Sequence, residues 1–253
     1  MDLGLTGRVA LITGAGSQKG FGKGIAMTLA REGCDIIAAD IDLAGAEGTA
    51  EAVRALGRKA LAIKADITNE ADMQNMAKTA VAQFGRIDIL VNNAGGSSPP
   101  QVFVETTQAK WQRDFDVNLM GVLNCTRAVL PYMVAQKRGD IISISSMAGV
   151  TGTPTGTIYA AAKAGVINFT MSLAQEVADL GIKVNCLAPG FGATEFYNQF
   201  PAEFRERARK MEAAGKTTTP EDIGVAVAFL ASDLSIRLVG QCLHVSGMMS
   251  PRK

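Results

Sequence analysis

The sequence predicts an α/β protein built on one doubly wound parallel sheet of seven strands, with helices on both faces. Three observations carry this expectation. Short β-rich apolar runs alternate with longer stretches of helical periodicity along the chain, the pattern of βαβ units stacked into a parallel sheet. The 253 residues are 47% hydrophobic and 19% charged, which is enough apolar side chain for a sizeable core near the upper size of one domain. No internal repeat or low-complexity tract interrupts the alternation, so residues 1–253 read as a single domain.

The seven strands fall at residues 8–12 (RVALI), 35–39 (DIIAA), 59–63 (KALAI), 87–91 (IDILV), 140–145 (DIISIS), 182–187 (IKVNCL) and 242–245 (CLHV). Helical periodicity fills residues 22–32, 43–56, 70–84, 109–136 and 157–180 between them. The stretch 194–216, TEFYNQFPAEFRERARKMEAAGK, breaks the alternation as a charged helical insertion between two late strands. An insertion there is expected to lie as a lid over a ligand site. Thr219, Pro220 and Glu221 then open a last helix, with threonine placed to cap it and proline in its first turn.

Charge and cysteine usage narrow the function. With 25 basic and 24 acidic residues and a formal charge of +1, the chain lacks the basic footprint of a nucleic-acid binder or a polybasic membrane anchor. A small-molecule partner is expected instead. Cys34, Cys125, Cys186 and Cys242 are far apart and form no C-x-x-C pair, so they read as buried free thiols. A single histidine, His244, and no cysteine cluster leave a metal site without ligands of the usual spacing. The opening MDLGLTGRVALITG lacks the features of a secretory signal, and no run approaches the length of a membrane span. A cytoplasmic protein is expected.

The first strand runs directly into TGAGSQKGFGKGIA, a glycine-rich turn that opens a helix. Glycine lets the backbone approach a pyrophosphate closely, while free amides and the positive dipole end at the helix start favour its negative charge. Gly14, Ser17, Gln18, Gly20, Phe21 and Gly22 are therefore candidates to hold a dinucleotide's phosphates. Asp40 closes the second strand, about 20 residues past the turn, where a carboxylate can bond the adenosine ribose hydroxyls. Ile41 follows it. The same carboxylate would repel a 2′-phosphate, which argues for NAD over NADP. Lys19 pulls the other way, as a partner for a 2′-phosphate or as a solvated loop residue.

Tyr159 and Lys163 stand four apart in YAAAK, and residues at that spacing share a helix face. A lysine ammonium beside a phenol, with an oxidised nicotinamide ring nearby, would stabilise phenolate and bring a group of pKa about 10 toward the range useful for proton transfer. Ser146 lies 13 residues before Tyr159 at the end of a strand, where its hydroxyl can meet a substrate oxygen as charge develops. If the strand persists, Ser145 would point to the opposite side, which makes it the weaker candidate.

Together with NNAG at 92–95, SISS at 143–146, Asp66 in ADI, Asn118 in VNL and PGFGAT at 189–194, these motifs stand in the order of one family. The chain resembles the short-chain dehydrogenase/reductase family over nearly its whole length. The resemblance implies a Rossmann-type fold and an NAD(H)-dependent oxidoreductase that interconverts a secondary alcohol and a ketone. By the same likeness Tyr159 moves the proton, Lys163 activates it, Ser146 steadies the oxygen and Asn118 holds a water in a relay to the lysine. Asn93, Ala94 and Gly95 would contact the adenosine ribose and shape the floor, Asp66 and Ile67 would bracket the adenine, and Pro189, Gly190 and Thr194 would meet the nicotinamide carboxamide.

Two departures stand out. The glycine-rich turn carries two more residues than the family's usual form, and the last strand ends in VSGMM where relatives commonly carry an aspartate and paired glycines. An apolar pocket is expected from Gly96, Ser97, Ser98, Met147, Gly149, Thr153, Phe191, Phe196, Tyr197 and Phe200. The long helices at 109–136 and 157–180 resemble those that pair between subunits in relatives, so a homotetramer is the family expectation. A second reading is a ketoacyl thioester reductase serving a carrier protein or coenzyme A, with Arg205, Arg207, Arg209 and Lys210 as a docking cluster. Their alternation with Glu203, Glu206 and Glu212 fits a solvated face better. A non-catalytic nucleotide sensor is disfavoured, because all four catalytic positions are filled.

Overall fold

The computed structural model describes residues 2–192, 202–211 and 217–247. All seven expected strands form: β1 Val9–Thr13, β2 Asp35–Asp40, β3 Ala60–Lys64, β4 Ile89–Asn92, β5 Gly139–Ile144, β6 Ile182–Pro189 and β7 Cys242–Val245. They make one sheet in the order β3-β2-β1-β4-β5-β6-β7, and every pairing is parallel. The winding reverses between β1 and β4, and a crevice opens there beyond the strand C-termini, the place where open α/β sheets bind ligands.

The helices are α1 Phe21–Arg31, α2 Leu43–Arg54, α3 Glu70–Phe84, α4 Gln108–Phe115, α5 Gly121–Gln136, α6 Met147–Thr151, α7 Thr157–Val177, α8 Ala202–Met211 and α9 Pro220–Ala231. The single helix expected over 109–136 is instead two, α4 and α5, joined by a π turn at Asp116–Met120, where the Gly121 amide reaches back to Asp116 O. The apolar periodicity carries through the turn, which is why sequence alone reads it as continuous. The short helix α6 was not expected either. Thr219 caps α9 as anticipated: its hydroxyl accepts from Asp222 N, and the Asp222 carboxylate accepts from Thr219 N at 2.8 Å.

Two apolar layers hold the sheet, one on each face. Ile12, Ile25, Leu29, Ile36 and Val227 pack α1 and α9 on one side, while Leu11, Met73, Met76, Leu90 and Val129 pack α3 and α5 on the other. α1 and α9 approach closely because Gly24 has no side chain, and a Cβ there would lie 2.4 Å from Pro220 Cβ. At the strand N-termini a buried ionic network closes the opposite edge. Asp140 pairs with Arg8 and, at 3.2 Å, with Lys183, and Lys183 Nζ also donates to Leu230 O, Ser232 O and Ser235 Oγ.

The four cysteines are free thiols, and His244 is exposed. Among the described residues no helix is long and apolar enough to cross a membrane, and no group of three or more His, Cys, Asp or Glu is placed to hold a metal ion.

Candidate active site

A cavity of about 580 Å³ runs along the C-terminal ends of the strands. Its first wall is the turn after β1. Gly14 takes a left-handed φ of +68°, and a Cβ there would lie 2.7 Å from Ala94 Cα; a Cβ on Gly22 would lie 2.2 Å from Gly14 O. These glycines let the turn, the start of α1 and the NNAG segment close to van der Waals contact, leaving a cradle of backbone atoms. Gly14, Ser17, Gly20 and Phe21 line the cavity, whereas Gly22 sits behind it.

Gln18 does not line the cavity. Its amide donates to Gly16 O at 3.0 Å and Gly45 O at 2.8 Å, and its oxygen accepts from Lys23. The lengthened turn thus uses Gln18 as an internal strut against α2, and the expectation that it touches phosphate is corrected. The carboxylate of Asp40 accepts from Gly16 N at 2.7 Å and Asp42 N at 2.9 Å, and it faces the cavity with Ile41. Ala65, Asp66, Ile67 and Thr68 complete that end.

Thr13, at the end of β1, accepts through its hydroxyl from both Asn93 N and Ala94 N at 3.1 Å. Asn93 Nδ2 donates to Thr13 O and Gly14 O. The NNAG segment is thereby stapled to the glycine-rich turn, and Asn93, Ala94 and Gly95 form the cavity floor. The role of Thr13 was invisible in sequence, where it reads only as the residue that opens the glycine-rich turn.

Ser146, Tyr159 and Lys163 meet at the centre. The strand β5 ends at Ile144, two residues before Ser146, which instead caps α6 by accepting from Ala148 N at 3.1 Å. Ser145 and Ser146 both border the cavity, but Ser145 is buried and donates to Lys163 O at 2.8 Å, tying α7 to the end of β5. Gly149 lies outside the wall; a Cβ there would lie 2.7 Å from the Lys163 backbone carbon, so its absence lets α6 rest on α7. Lys163 Nζ donates to Ile144 O at 2.9 Å and lies 5.8 Å from the Tyr159 ring centroid.

Burial pushes the Tyr159 phenol above its ordinary value of 10.0; a hydrogen bond with Ser146 pulls it down and the charge of Asp114 pushes it further up. Burial lowers Lys163 to about 8. With protein groups alone around it the phenol is raised, because desolvation of phenolate outweighs what Ser146 offsets; the expected lowering calls for an oxidised nicotinamide beside it as well as the ammonium.

Asn118 lies in the π turn, fully buried and behind the wall. Its side chain accepts from Gly96 N at 3.1 Å and donates to Gly96 O at 2.6 Å and Asp114 O at 2.9 Å. A Cβ on Gly95 would sit 3.0 Å from Asn118 Oδ1 and 3.2 Å from Lys163 Nζ, so the two groups flank that glycine. The other end of the cavity is lined by Gly96, Ser97, Ser98, Met147, Phe191 and the stretch Thr151–Gly156, with Pro189 and Gly190 at the end of β6. Thr194, Phe196 and Tyr197 lie outside the described residues, as does Phe200, so the expected lid is represented only by α8. Sequence reasoning missed Asp114; its position four residues before Asn118, on the same helix face, was the available signal.

A family model described as short chain dehydrogenase matches residues 8–203. The chain is 37% identical over 243 residues to a 3-oxoacyl-[acyl-carrier-protein] reductase FabG of Thermotoga maritima, covering 96% of this chain and 98% of that protein. It is 38% identical to a cis-4-hydroxycyclohexanecarboxylate dehydrogenase of Sinomonas cyclohexanicum, covering 95% of each. It is also 39% identical to the (2S)-[(R)-hydroxy(phenyl)methyl]succinyl-CoA dehydrogenase subunit BbsD of Thauera aromatica, covering 97% of each. Among solved structures, that of gox2181 superposes with a TM-score of 0.93 at 31% identity, over 97% of this chain and 96% of that one.

Proposed function

The chain belongs to the short-chain dehydrogenase family, and on that premise we propose that it interconverts a secondary alcohol and a ketone with NAD(H), using Tyr159 as the proton-transferring group. The observation that carries this reading is the convergence of Ser146, Tyr159 and Lys163 on one wall of a cavity whose other end is the glycine cradle and Asp40.

The residues present fit a dinucleotide. Gly14, Ser17, Gly20 and Phe21 would hold its phosphates at the start of α1, Asp40 and Ile41 its adenosine ribose, and Asp66 and Ile67 its adenine. Asn93, Ala94 and Gly95 would support its middle, with Pro189 and Gly190 at the nicotinamide. When bound, the nicotinamide supplies or accepts the hydride. In reduction Tyr159 would give its proton to the carbonyl oxygen, and Ser146 would donate a hydrogen bond to that oxygen as charge gathers there. Lys163, flanked by Gly95 and Asn118, supplies positive charge beside the phenolate that results. Oxidation runs the same transfers backwards. The Asp40 carboxylate supports NAD over NADP, because a 2′-phosphate beside it would face like charge.

Replacing Tyr159 with phenylalanine is expected to leave NAD binding intact and to abolish turnover in a screen of secondary alcohols followed by NADH absorbance. A variant that kept most of its rate would sink the assignment. A ketoacyl thioester is the second reading, favoured by the relatives named as an acyl-carrier-protein reductase and a succinyl-CoA dehydrogenase subunit. Acyl thioesters set against free ketones separate the two. A homotetramer is the matching assembly; Met120, Val134 and Met171 stand exposed on the elements expected to pair, and light scattering measures it.

A further inference from the structure

Gln18 lies in the lengthened turn after β1 and ties it to α2. Its Nε2 donates to Gly16 O at 3.0 Å and to Gly45 O, in the first turn of α2, at 2.8 Å. Two further contacts press the same surfaces together. Thr49 on α2 donates to Ala15 O at 2.6 Å, and Gly45 stands so close to the turn that a Cβ there would lie 2.4 Å from Gly16 O.

Gly16, held in this way, donates its amide to Asp40 Oδ2 at 2.7 Å, while Asp42 N donates to Asp40 Oδ1 at 2.9 Å. Each carboxylate oxygen is therefore fixed by one backbone donor, and Asp40 borders the cavity. A carboxylate offers about four acceptor positions, so capacity remains for the two hydroxyls of an adenosine ribose. A 2′-phosphate would bring negative charge in place of one of those donors.

Lys19, the next residue after Gln18, is exposed and does not line the cavity, and among the described residues it makes no ion pair. The brace that holds Gly16 against Asp40 thus also sets where the backbone of Lys19 stands. We propose that Gln18 is a positioning residue for cofactor choice: by clamping the lengthened turn to α2 it keeps Asp40 in place for the ribose hydroxyls of NAD and keeps Lys19 from serving a 2′-phosphate. The proposal rests on the reading of the site as NAD-dependent. With the brace cut, the cofactor itself must order the turn, which weakens NADH, while Lys19 becomes free to meet a phosphate.

The test is fluorescence titration of NADH and of NADPH onto the unmodified protein, Gln18→Ala, Gln18→Glu and the double variant Gln18→Ala/Lys19→Ala, with kcat at saturating NADH measured beside it. Gln18 is exposed, so its replacement leaves the core untouched. Gln18→Glu keeps the length and the oxygen that accepts from Lys23, but it cannot donate to the two carbonyls. Both single variants are expected to bind NADH about fivefold more weakly and to lose about tenfold of the preference for NADH over NADPH, with kcat within about twofold. The double variant is expected to bind NADH as Gln18→Ala does and NADPH about threefold more weakly than Gln18→Ala does.

An unmoved preference in Gln18→Ala overturns the proposal even if NADH binding weakens, since the residue is then scaffold alone. So does a Gln18→Glu protein that behaves as the unmodified one, a double variant that binds NADPH as well as Gln18→Ala, or a Gln18→Ala chain that fails to fold. An unmodified protein that prefers NADPH would instead overturn the NAD reading itself, and it is seen before any variant is measured.

Discussion

Two lysines are buried at opposite edges of the same sheet, and they are treated differently. Lys183, at the N-terminal edge, has the Asp140 carboxylate, two helix-end carbonyls and the Ser235 hydroxyl around its ammonium. Lys163, at the C-terminal edge, donates to one carbonyl, and among the described residues no carboxylate lies within ion-pair distance. The first charge is neutralised and saturated, so it ties β5 and β6 to the end of α9. The second is under-satisfied, and burial lowers it to about 8. A charge that the fold leaves incompletely satisfied remains available to a ligand, which is why perturbed groups gather at functional sites.

Removing one charge from each edge would test this contrast most severely. Asp140→Asn leaves Arg8 and Lys183 facing each other without their carboxylate, and a loss of about 3–5 kcal/mol in urea unfolding is expected. Lys163→Met removes a charge that burial penalises, so at pH 7 the cofactor-free variant is expected to be more stable than the unmodified chain by up to roughly 3 kcal/mol, while its turnover falls about a hundredfold or more. The sign follows from the lowered value. Below about pH 8 the folded and unfolded chains both carry the lysine proton, and the burial cost is felt in full. Between about 8 and the ordinary 10.5 the folded chain has lost a proton that the unfolded chain keeps, so the stability of the unmodified protein rises and the variant's advantage shrinks. A constant gap from pH 7 to 10.5 would break the comparison.

Gly22→Ala sharpens it at the cofactor end. A methyl group 2.2 Å from Gly14 O must move backbone, and a loss of about 1–3 kcal/mol with weakened NADH binding by fluorescence titration is expected. The smallest effect belongs to Arg138→Ala. Its pair with Asp233 lies at the N-terminal edge like that of Asp140, but the two side chains are 48% and 69% exposed, so less than about 1 kcal/mol should be lost in thermal unfolding. A large effect there would show that burial is not what separates the two kinds of ion pair.

The strand pattern was legible because a sheet covered on both faces demands continuous apolar runs, and all seven were present as such. The glycine-rich turn was legible for a similar reason: contacts as tight as those at Gly14 and Gly22 admit no other residue. Gln18 was misread because a turn two residues longer than usual gives no sign of which side chain folds back onto its own backbone. Ser145 was expected to point away, but β5 stops at Ile144 and the alternation lapses before it is reached.

By itself the sequence determined what depends on local periodicity and close approach: the order of strands and helices, the cradle after β1, and the four-residue step from Tyr159 to Lys163. Only the tertiary structure decided which polar groups are buried and with whom. Asp114 reads as a solvated helix carboxylate in WQRDFDVN until the loop at Ser98 closes over it, and Lys163 and Lys183 are indistinguishable as letters. The physical reason is that the free energy of a charge depends on its surroundings in three dimensions, through desolvation and partners contributed by residues far away in the chain.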